Sequence, residues 1–196
     1  MIDVETHPIS VIYALVDRFG FDFKVSFSEY FYRPQSVLDQ RTTYDIPIGD
    51  VTPAWVSQKI DQLKPGWELA MNSQVVDKRG RKLHVPMIDF VSKDHELLRT
   101  SSFEGIVGKD VARSLFFFDS GKSFHAYGTA LLRRSEWQSL MGRLLLLNIP
   151  GQPQLVDSRW IGHRLIGGYS ALRWSANSDY HKHVPKIFRF VVQRLK

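Results

Sequence analysis

The sequence predicts an α+β fold with antiparallel-rich sheets and flanking helices. Two pairs of strand-like runs are each joined by a short polar link that contains glycine, which is typical of antiparallel hairpins. Segments with helical apolar spacing stand before and after these pairs and do not alternate regularly with single strands. This order favours antiparallel sheets with separate helices over a doubly wound parallel sheet.

The first third of the chain predicts a helix, a strand and a second helix. Apolar residues recur at helical spacing over residues 7–19, and Gly20 follows as the terminating residue. Polar and apolar residues alternate over residues 21–27, which predicts a strand with one solvent-facing side. Thr52 followed by proline is typical of a helix N-terminus, so a second helix is expected over residues 54–63.

The two hairpins are expected in the middle of the chain. Residues 67–76 and 83–91 form the first predicted pair, joined by a polar link with one glycine. Residues 114–118 and 123–129 form the second predicted pair, which has a tight, polar and basic tip. Asp89 stands near the end of the first hairpin, where its carboxylate would project from a sheet edge.

The last third predicts two helices and short extended segments. Ser135 is expected to cap a helix that runs through residue 147, where a Pro-Gly pair closes it soon afterwards. A second helix is expected over residues 157–165, followed by a double glycine and a short strand over residues 171–174. Residues from 187 onward predict a closing extended or helical run.

Composition predicts one domain, over residues 1–196. Hydrophobic residues at 43% and charged residues at 23% are globular proportions and exclude a disordered or collagen-like chain. No apolar run approaches the roughly 18 residues that a membrane span needs, and no signal peptide is evident, so a cytoplasmic protein is expected. The absence of cysteine excludes disulfides, thiol catalysis and thiolate metal sites.

The net positive charge of the chain comes entirely from the second half of the sequence. Residues 1–98 carry 11 Lys and Arg against 14 Asp and Glu, whereas residues 99–196 carry 15 against 6. We therefore distinguish an N-terminal α/β part, residues 1–82, from a basic part that carries the motifs, residues 83–196. Such a basic part favours a phosphate-rich partner, although a solvated basic face would have the same composition.

Three separated segments carry candidate functional residues. Asp89 ends an apolar strand, and the turn Ser120-Gly121-Lys122-Ser123-Phe124-His125 leads into another strand. Backbone N–H groups, a lysine and a histidine of such a turn can converge on a phosphate. Asp157 precedes a helix that it could also cap, and Arg173 follows the double glycine in an alternating strand. The loop at 181–183 is interpreted as basic and solvated, because two histidines near one acid make a weak metal site.

These segments resemble the motifs of the archaeo-eukaryotic primase superfamily. The turn at residues 120–125 is similar to its second motif, of the Ser-Gly-x-x-x-His kind. Residues 156–175, followed by His181 and Lys182, resemble the region of its third motif with a phosphate-facing arginine. The likeness spans residues 85–185 and is greatest to small bacterial primase-like proteins.

The resemblance implies a primase-like catalytic core and assigns a role to each candidate residue. Asp89 and Asp157 would hold Mg²⁺ or Mn²⁺, and His125 would join them in catalysis. The implied partners are a nucleoside triphosphate, DNA or RNA, and a protein such as a helicase, with no membrane. The residues implied to bind the nucleotide are Ser120, Gly121, Lys122, Ser123, His125, Arg173 and Lys182.

One position departs from the family pattern. The first motif should have two acids separated by one residue, but Val91 stands where the second acid belongs. A two-cation site needs shared carboxylates, and Asp94 lies at an unfavourable offset for replacing one.

Three hypotheses therefore stay open. The first is a metal-dependent nucleotidyltransferase of primer synthesis. The second is a degenerate primase-like module that binds nucleic acid or a protein partner in a replication or defence complex, and Val91 favours it. The third is an unrelated basic α+β domain that binds RNA, in which case the motif matches arise by chance.

Overall fold

The structure, a computed structural model, describes residues 2–93 and 101–189. Within these residues the chain forms two antiparallel sheets with helices beside them, and the α+β class that the sequence predicts is confirmed. The helices are α1 (Ile9–Phe19), α2 (Pro53–Asp61), α3 (Ser101–Val107), α4 (Lys109–Arg113), α5 (Arg134–Leu145) and α6 (Ser158–Gly167), with a 3₁₀ turn at Ile48–Asp50. The strands are β1 (Phe23–Phe31), β2 (Arg41–Pro47), β3 (Trp67–Asp77), β4 (Lys82–His84), β5 (Met87–Asp89), β6 (Leu115–Asp119), β7 (Phe124–Gly128), β8 (Ala171–Arg173) and β9 (Lys186–Phe188).

Strand order places the motif-bearing segments next to one another. The first sheet has the order β2-β1-β3-β4. Strand β4 pairs with residues 74–76 of β3, and β8 pairs with residues 70–72 of the same strand. The second sheet has the order β5-β7-β6-β9. Consequently Asp89 on β5 lies directly opposite His125 on β7 in the ladder, although 35 residues separate them in the sequence.

Two apolar clusters form the core, and the first of them also contains Phe118 and Tyr127 of the second sheet. The cluster beneath the first sheet includes the buried face of α1 together with Val25, Phe27 and Trp174. The second cluster joins α5 to the second sheet through Trp137, which is fully buried. The apolar spacing that predicts α1 and α5 is therefore the spacing of their buried faces.

The predicted first hairpin is wrong in its second strand. Residues 83–91 do not form one continuous strand, because the chain leaves the first sheet after β4 and enters the second sheet as β5. Pro86 lies at this crossing and has no N–H group to donate to a ladder. The carbonyl of Pro86 instead accepts from Gly128 N at 2.8 Å, while Val85 N still donates to Ser73 O at 2.7 Å.

Smaller differences follow from local signals that are weak or misplaced. The edge strand β2 has no counterpart in the prediction, because most of its residues are exposed and its only half-buried apolar side chains are Tyr44 and Ile46. Ser135 is not the cap of α5, which begins one residue earlier. The Glu136 carboxylate accepts from Arg133 N at 2.7 Å and closes that end of the helix.

The helices were compared with the length and apolar character that a membrane-spanning helix needs. None of the helices within the described residues is long and apolar enough to cross a bilayer.

Candidate functional site

One cleft collects nearly all the side chains that the sequence singles out. It has a volume of about 440 Å³ and is lined by residues of β1, β5, the β6–β7 turn, α6 and β8. The predicted site residues that line it are Asp89, Ser120, Lys122, Ser123, His125, Asp157, Arg173 and Lys182. Gly121 belongs to the same turn but does not line the cleft.

A larger groove, of about 980 Å³, lies on another face between α1, the β3–β4 turn and α4. Its charged side chains form ion pairs with each other, such as Lys78 with Asp22 at 3.2 Å and Arg81 with Asp77 at 2.6 Å. None of the motif residues lines this groove. Because convergent ionisable groups with displaced pKa values indicate function better than volume does, the smaller cleft is the candidate site.

The two predicted acids are joined by a short backbone ladder. Asp157 N donates to Asp89 O at 2.9 Å, and the next pair outward is a bridge between Phe90 and Val156. Asp157 also caps α6, since its Oδ1 accepts from the backbone N–H groups of Arg159 at 2.8 Å and Trp160 at 2.9 Å. Both of these bonds go to one oxygen of Asp157, so the cap does not use the second.

Burial and the neighbouring carboxylate set the ionisation of Asp89. Loss of solvent and the charge of Asp157 together raise the pKa of Asp89 to about 8, against the opposing charges of Arg173 and Arg164. Two carboxylates that repel each other in a partly buried cleft form an arrangement that a divalent cation relieves.

We expect Asp89→Asn to stabilise the cation-free protein, and to do so more strongly as the pH rises. The folded pKa of about 8 exceeds the ordinary value of 3.8, so stability is greatest below about pH 3.8, where Asp89 is neutral in both states, and falls as the pH rises to about 8. Thermal melts of both proteins in a chelator test this from about pH 4 to about pH 9. The gap in Tm should widen up to about pH 8 and then level off. A constant gap would contradict the raised pKa.

His125 faces Asp89 from the adjacent strand and is buried. Its Nε2 lies 3.6 Å from Asp89 Oδ1, which is longer than a hydrogen bond. Its Nδ1 is buried and has no hydrogen-bond partner within the part of the chain that the structure describes. Burial, with smaller contributions from the charges of Arg173 and His181, lowers the pKa of His125 well below 6.5. The imidazole is therefore neutral, with bonding capacity left for a ligand.

The turn before His125 is held by its own hydrogen bonds. Ser120 N and Ser120 Oγ both donate to Ser123 O, at 2.9 Å and 3.0 Å, and Gly121 N donates to Asp119 Oδ1 at 2.8 Å. Gly121 has a φ of 108°, a conformation that favours glycine. The N–H groups of Ser120 and Gly121 already have partners. The side chain of Lys122 is therefore the group of this turn that is left to bind a phosphate.

Arg173 is a structural link as well as a charge in the cleft. Its Nη1 donates to Ser175 O and to His183 O, the latter at 3.1 Å, and its Nη2 donates to Ser120 O at 2.8 Å. The sequence predicts that Arg173 meets phosphate or water, but its donors bind backbone carbonyls of two loops. It therefore positions the loops that carry Lys122 and Lys182, while its positive charge still faces the cleft.

Val91 lines the cleft beside the two acids, and its side chain is 43% exposed. No group of three or more His, Cys, Asp or Glu side chains that could hold a metal ion occurs among residues 2–93 and 101–189. Asp94, the acid considered as a replacement, lies outside the described residues. The donor set that the structure describes is therefore two carboxylates.

A buried glutamate behind the cleft is missing from the sequence-based prediction. Glu68 on β3 is fully buried and accepts from Asn177 N, Ser178 N at 2.9 Å, Ser178 Oγ at 2.7 Å and the Ser175 hydroxyl. Its Oε1 also lies 2.7 Å from His181 Nδ1. Against the opposing effect of burial, these bonds lower the pKa of Glu68 to about 2. The 181–183 loop is therefore anchored at His181, which corrects its interpretation as a solvated loop.

A second group of charges, also absent from the prediction, lines the opposite part of the cleft. Arg41 and Arg164 both bind the carboxylate of Asp39, and Arg41 Nη1 donates to Ser28 Oγ at 2.6 Å. Both arginines are almost completely buried, with side chains 8% and 4% exposed. Asp39 and Arg41 follow a proline-containing loop, and charged residues at such a place are a weak signal on their own. Both also lie in the half of the chain that has a negative net charge.

Comparison with protein families decides the wider relationship. A family model described as archaeo-eukaryotic primase 1D-like matches residues 47–186, which include every motif residue in the cleft. The chain belongs to this primase-like family. Comparisons with curated proteins and with solved structures found no match. The primase-like resemblance is thus confirmed, and the residues before 47, including Asp39 and Arg41, lie outside the matched region.

Proposed function

We propose that the cleft binds a nucleoside triphosphate together with one divalent cation, Mg²⁺ or Mn²⁺, as the nucleotide site of a nucleotidyltransferase of primer synthesis. The observation that carries this proposal is the convergence of two adjoining carboxylates, a buried neutral histidine and two lysines in one cleft. Membership of a primase-like family supports the same assignment.

The residues present fit a single cation. Mg²⁺ is usually held by one or two carboxylates, and phosphate oxygens and water complete its octahedral shell. Asp89 and Asp157 would supply the carboxylates, and the raised pKa of Asp89 indicates that a positive charge is favourable there. When bound, the cation would neutralise charge on the phosphates and orient them.

The protein groups around the acids have separate tasks. Lys122 and Lys182 lie in two loops of the cleft and would contact the phosphates as point charges. Arg173 holds the two loops together by donating hydrogen bonds to a backbone carbonyl in each. His125 lines the cleft with a neutral imidazole and would donate a hydrogen bond to a phosphate oxygen. The anchored His181 would hold the second loop in place.

Titration calorimetry of the whole chain tests the nucleotide site. Nucleoside triphosphate with Mn²⁺ should bind measurably, and either component alone should bind more weakly, because each contributes contacts to the other. Lys122→Ala and His125→Gln are each expected to weaken the binding about tenfold, which corresponds to loss of one charge-assisted or buried hydrogen bond.

Lys78→Ala is the matched control, since this lysine is exposed on the β3–β4 turn, outside the cleft, and pairs with Asp22. It should leave the affinity unchanged. Absence of heat with nucleotide and Mn²⁺ together would contradict the proposal. Equal weakening by Lys78→Ala and Lys122→Ala would indicate nonspecific attraction to a basic protein instead.

A second candidate function is favoured by Val91. With two carboxylates instead of three, the cleft would bind nucleotide or nucleic acid without turning it over, and the chain would act as a binding module in a larger complex. A primer-synthesis assay on a single-stranded template separates the two candidates. Nucleotide binding without any product, with Mg²⁺ or with Mn²⁺, would support the module.

A further inference from the structure

We propose that Arg41 and Arg164 form a phosphate subsite for a single-stranded nucleic acid, and that the carboxylate of Asp39 occupies this subsite in the free protein. The proposal rests on the nucleotide-binding cleft described above, because the subsite lines the same cleft. The nucleic acid would be the second ligand of that cleft, and Arg41 and Arg164 would bind it. These residues lie around α6 and β2, not on the β6–β7 turn.

The two arginines are arranged as a carboxylate clamp. Arg41 Nε lies 3.1 Å from both oxygens of Asp39, and Arg41 Nη2 lies 3.0 Å from Oδ1. Arg164 Nη2 binds the other oxygen, Oδ2. A planar guanidinium binds two oxygens of a phosphate in the same way as two oxygens of a carboxylate, so the geometry suits either anion.

The clamp has more donors and more charge than its carboxylate satisfies. Arg164 Nε and Nη1 are buried and have no hydrogen-bond partner within residues 2–93 and 101–189. Two guanidinium groups on one carboxylate leave a positive charge in a site where the arginines are at least nine-tenths buried. Because a buried charge without a counter-ion is costly, an arrangement of this kind indicates that a further anion binds.

The arginines are fixed in the wall, whereas Asp39 lies on an irregular connection. The Arg41 guanidinium stacks 4.6 Å from the ring of Tyr30, and Arg164 lies 5.9 Å from the ring of Tyr169. Asp39 belongs to the segment between β1 and β2, and its side chain is 32% exposed. Gln35 in this segment has a positive φ of 57°, which a non-glycine residue rarely adopts. Asp39 is therefore the most exposed of the three charged side chains.

Aromatic side chains that line the same cleft favour an oligonucleotide over an isolated phosphate. Tyr32 and Tyr180 both line the cleft, and their rings lie 5.5 Å apart in an edge arrangement. Single-stranded nucleic acids bind through cationic grooves that follow the backbone, with bases stacked on aromatic rings. Tyr30, which packs against the Arg41 guanidinium, lines the same cleft as Arg173.

Removal of the internal carboxylate is the decisive experiment. We would measure fluorescence anisotropy of a labelled single-stranded oligothymidylate with the whole chain, without nucleotide or divalent cation, over a series of salt concentrations. Asp39→Asn should tighten binding about tenfold and steepen the dependence of log affinity on log salt by about one. Arg164→Lys should weaken binding about tenfold, because lysine lacks the bidentate fork.

Matched controls separate the subsite from general charge. Asp45→Asn on the exposed side of β2 changes the net charge equally, and Arg79→Lys makes the same exchange on the exposed β3–β4 turn. Both should leave oligonucleotide affinity within about twofold of the original protein. If Asp45→Asn tightens binding as much as Asp39→Asn does, the proposal is overturned.

Other outcomes also decide the matter. Asp39→Asn that melts at a lower temperature and fails to tighten oligonucleotide binding would mean that Asp39, Arg41 and Arg164 are a purely structural ion pair network. Tighter binding of nucleotide but not of oligonucleotide would overturn the choice of ligand. Oligonucleotide binding that responds to Asp39→Asn in a protein that binds no nucleoside triphosphate would support the subsite while refuting the function proposed above.

Discussion

Glu68→Ala is expected to lower the free energy of unfolding by about 3–5 kcal/mol, the range for removing one partner of a buried charged network. Glu68 is fully buried and accepts hydrogen bonds from Ser175, Asn177, Ser178 and His181. Its loss leaves these donors buried without an acceptor, and each such group costs about 1–3 kcal/mol. Chemical denaturation of both proteins measures the difference.

Glu29→Ala is the matched control for this prediction. Glu29 lies opposite Leu69 in the β1–β3 ladder, but it is partly exposed and pairs with Lys59 at 3.5 Å. An ion pair of this kind contributes about 0–1 kcal/mol, so the control should be close to the original protein. Similar losses in both variants would show that the Glu68 network contributes nothing special to stability.

The pH dependence of Glu68 has a defined sign. Hydrogen bonds lower its folded pKa to about 2 from 4.5, so its stabilising effect is complete above about 4.5 and is lost as the pH falls towards about 2. Glu68→Gln should lack this dependence, which makes the two unfolding curves converge in acid. The variant should also bind nucleotide more weakly at neutral pH, because the 181–183 loop loses its anchor at His181.

Val91→Asp is expected to increase the cation-dependent affinity for a nucleoside triphosphate at least tenfold, about 1.4 kcal/mol. The side chain lines the cleft and is 43% exposed, so a carboxylate at this position costs little in packing. It would restore the acid-x-acid pattern with Asp89 and give the site a third carboxylate for a second cation. Calorimetry with Mn²⁺ measures binding, and a primer-synthesis assay measures turnover.

Val91→Asn tests whether charge is responsible for the gain. Asparagine has nearly the same size as aspartate but carries no charge, so it should leave the affinity near that of the original protein. If aspartate and asparagine behave alike, position 91 does not contact a cation. New primer synthesis in Val91→Asp alone would indicate that the original chain lacks a single ligand for catalysis.

Local sequence patterns predicted the parts of the molecule that local interactions determine. The β6–β7 hairpin and the helix capped by Asp157 follow from turn and capping preferences within a few residues. The primase-like motifs also lie within such short segments, and the structure brings Asp89, His125 and Asp157 into one cleft.

Features that depend on distant contacts could not be predicted in the same way. Glu68 is one of several polar residues in its strand, and its partners lie more than 100 residues later in the chain. Asp39 and Arg41 meet Arg164 from across the cleft, although net charge directs attention to the second half of the sequence. The crossing at Pro86 depends on whether β3 or β7 offers the next ladder, which the run of apolar residues does not specify.

The ladder between residues 89–91 and 155–157 has a consequence for how this cleft can change over evolutionary time. Asp157 N donates to Asp89 O, and Val91 N donates to Leu155 O at 3.0 Å. Phe90 and Val156, which lie between these two hydrogen bonds, are both buried. Main-chain hydrogen bonds therefore set the relative position of residues 89 and 157, and exchange of their side chains leaves these bonds in place. The chemistry of the cleft can then change by exchange of single side chains on the same backbone, and position 91 is where such an exchange would add a carboxylate.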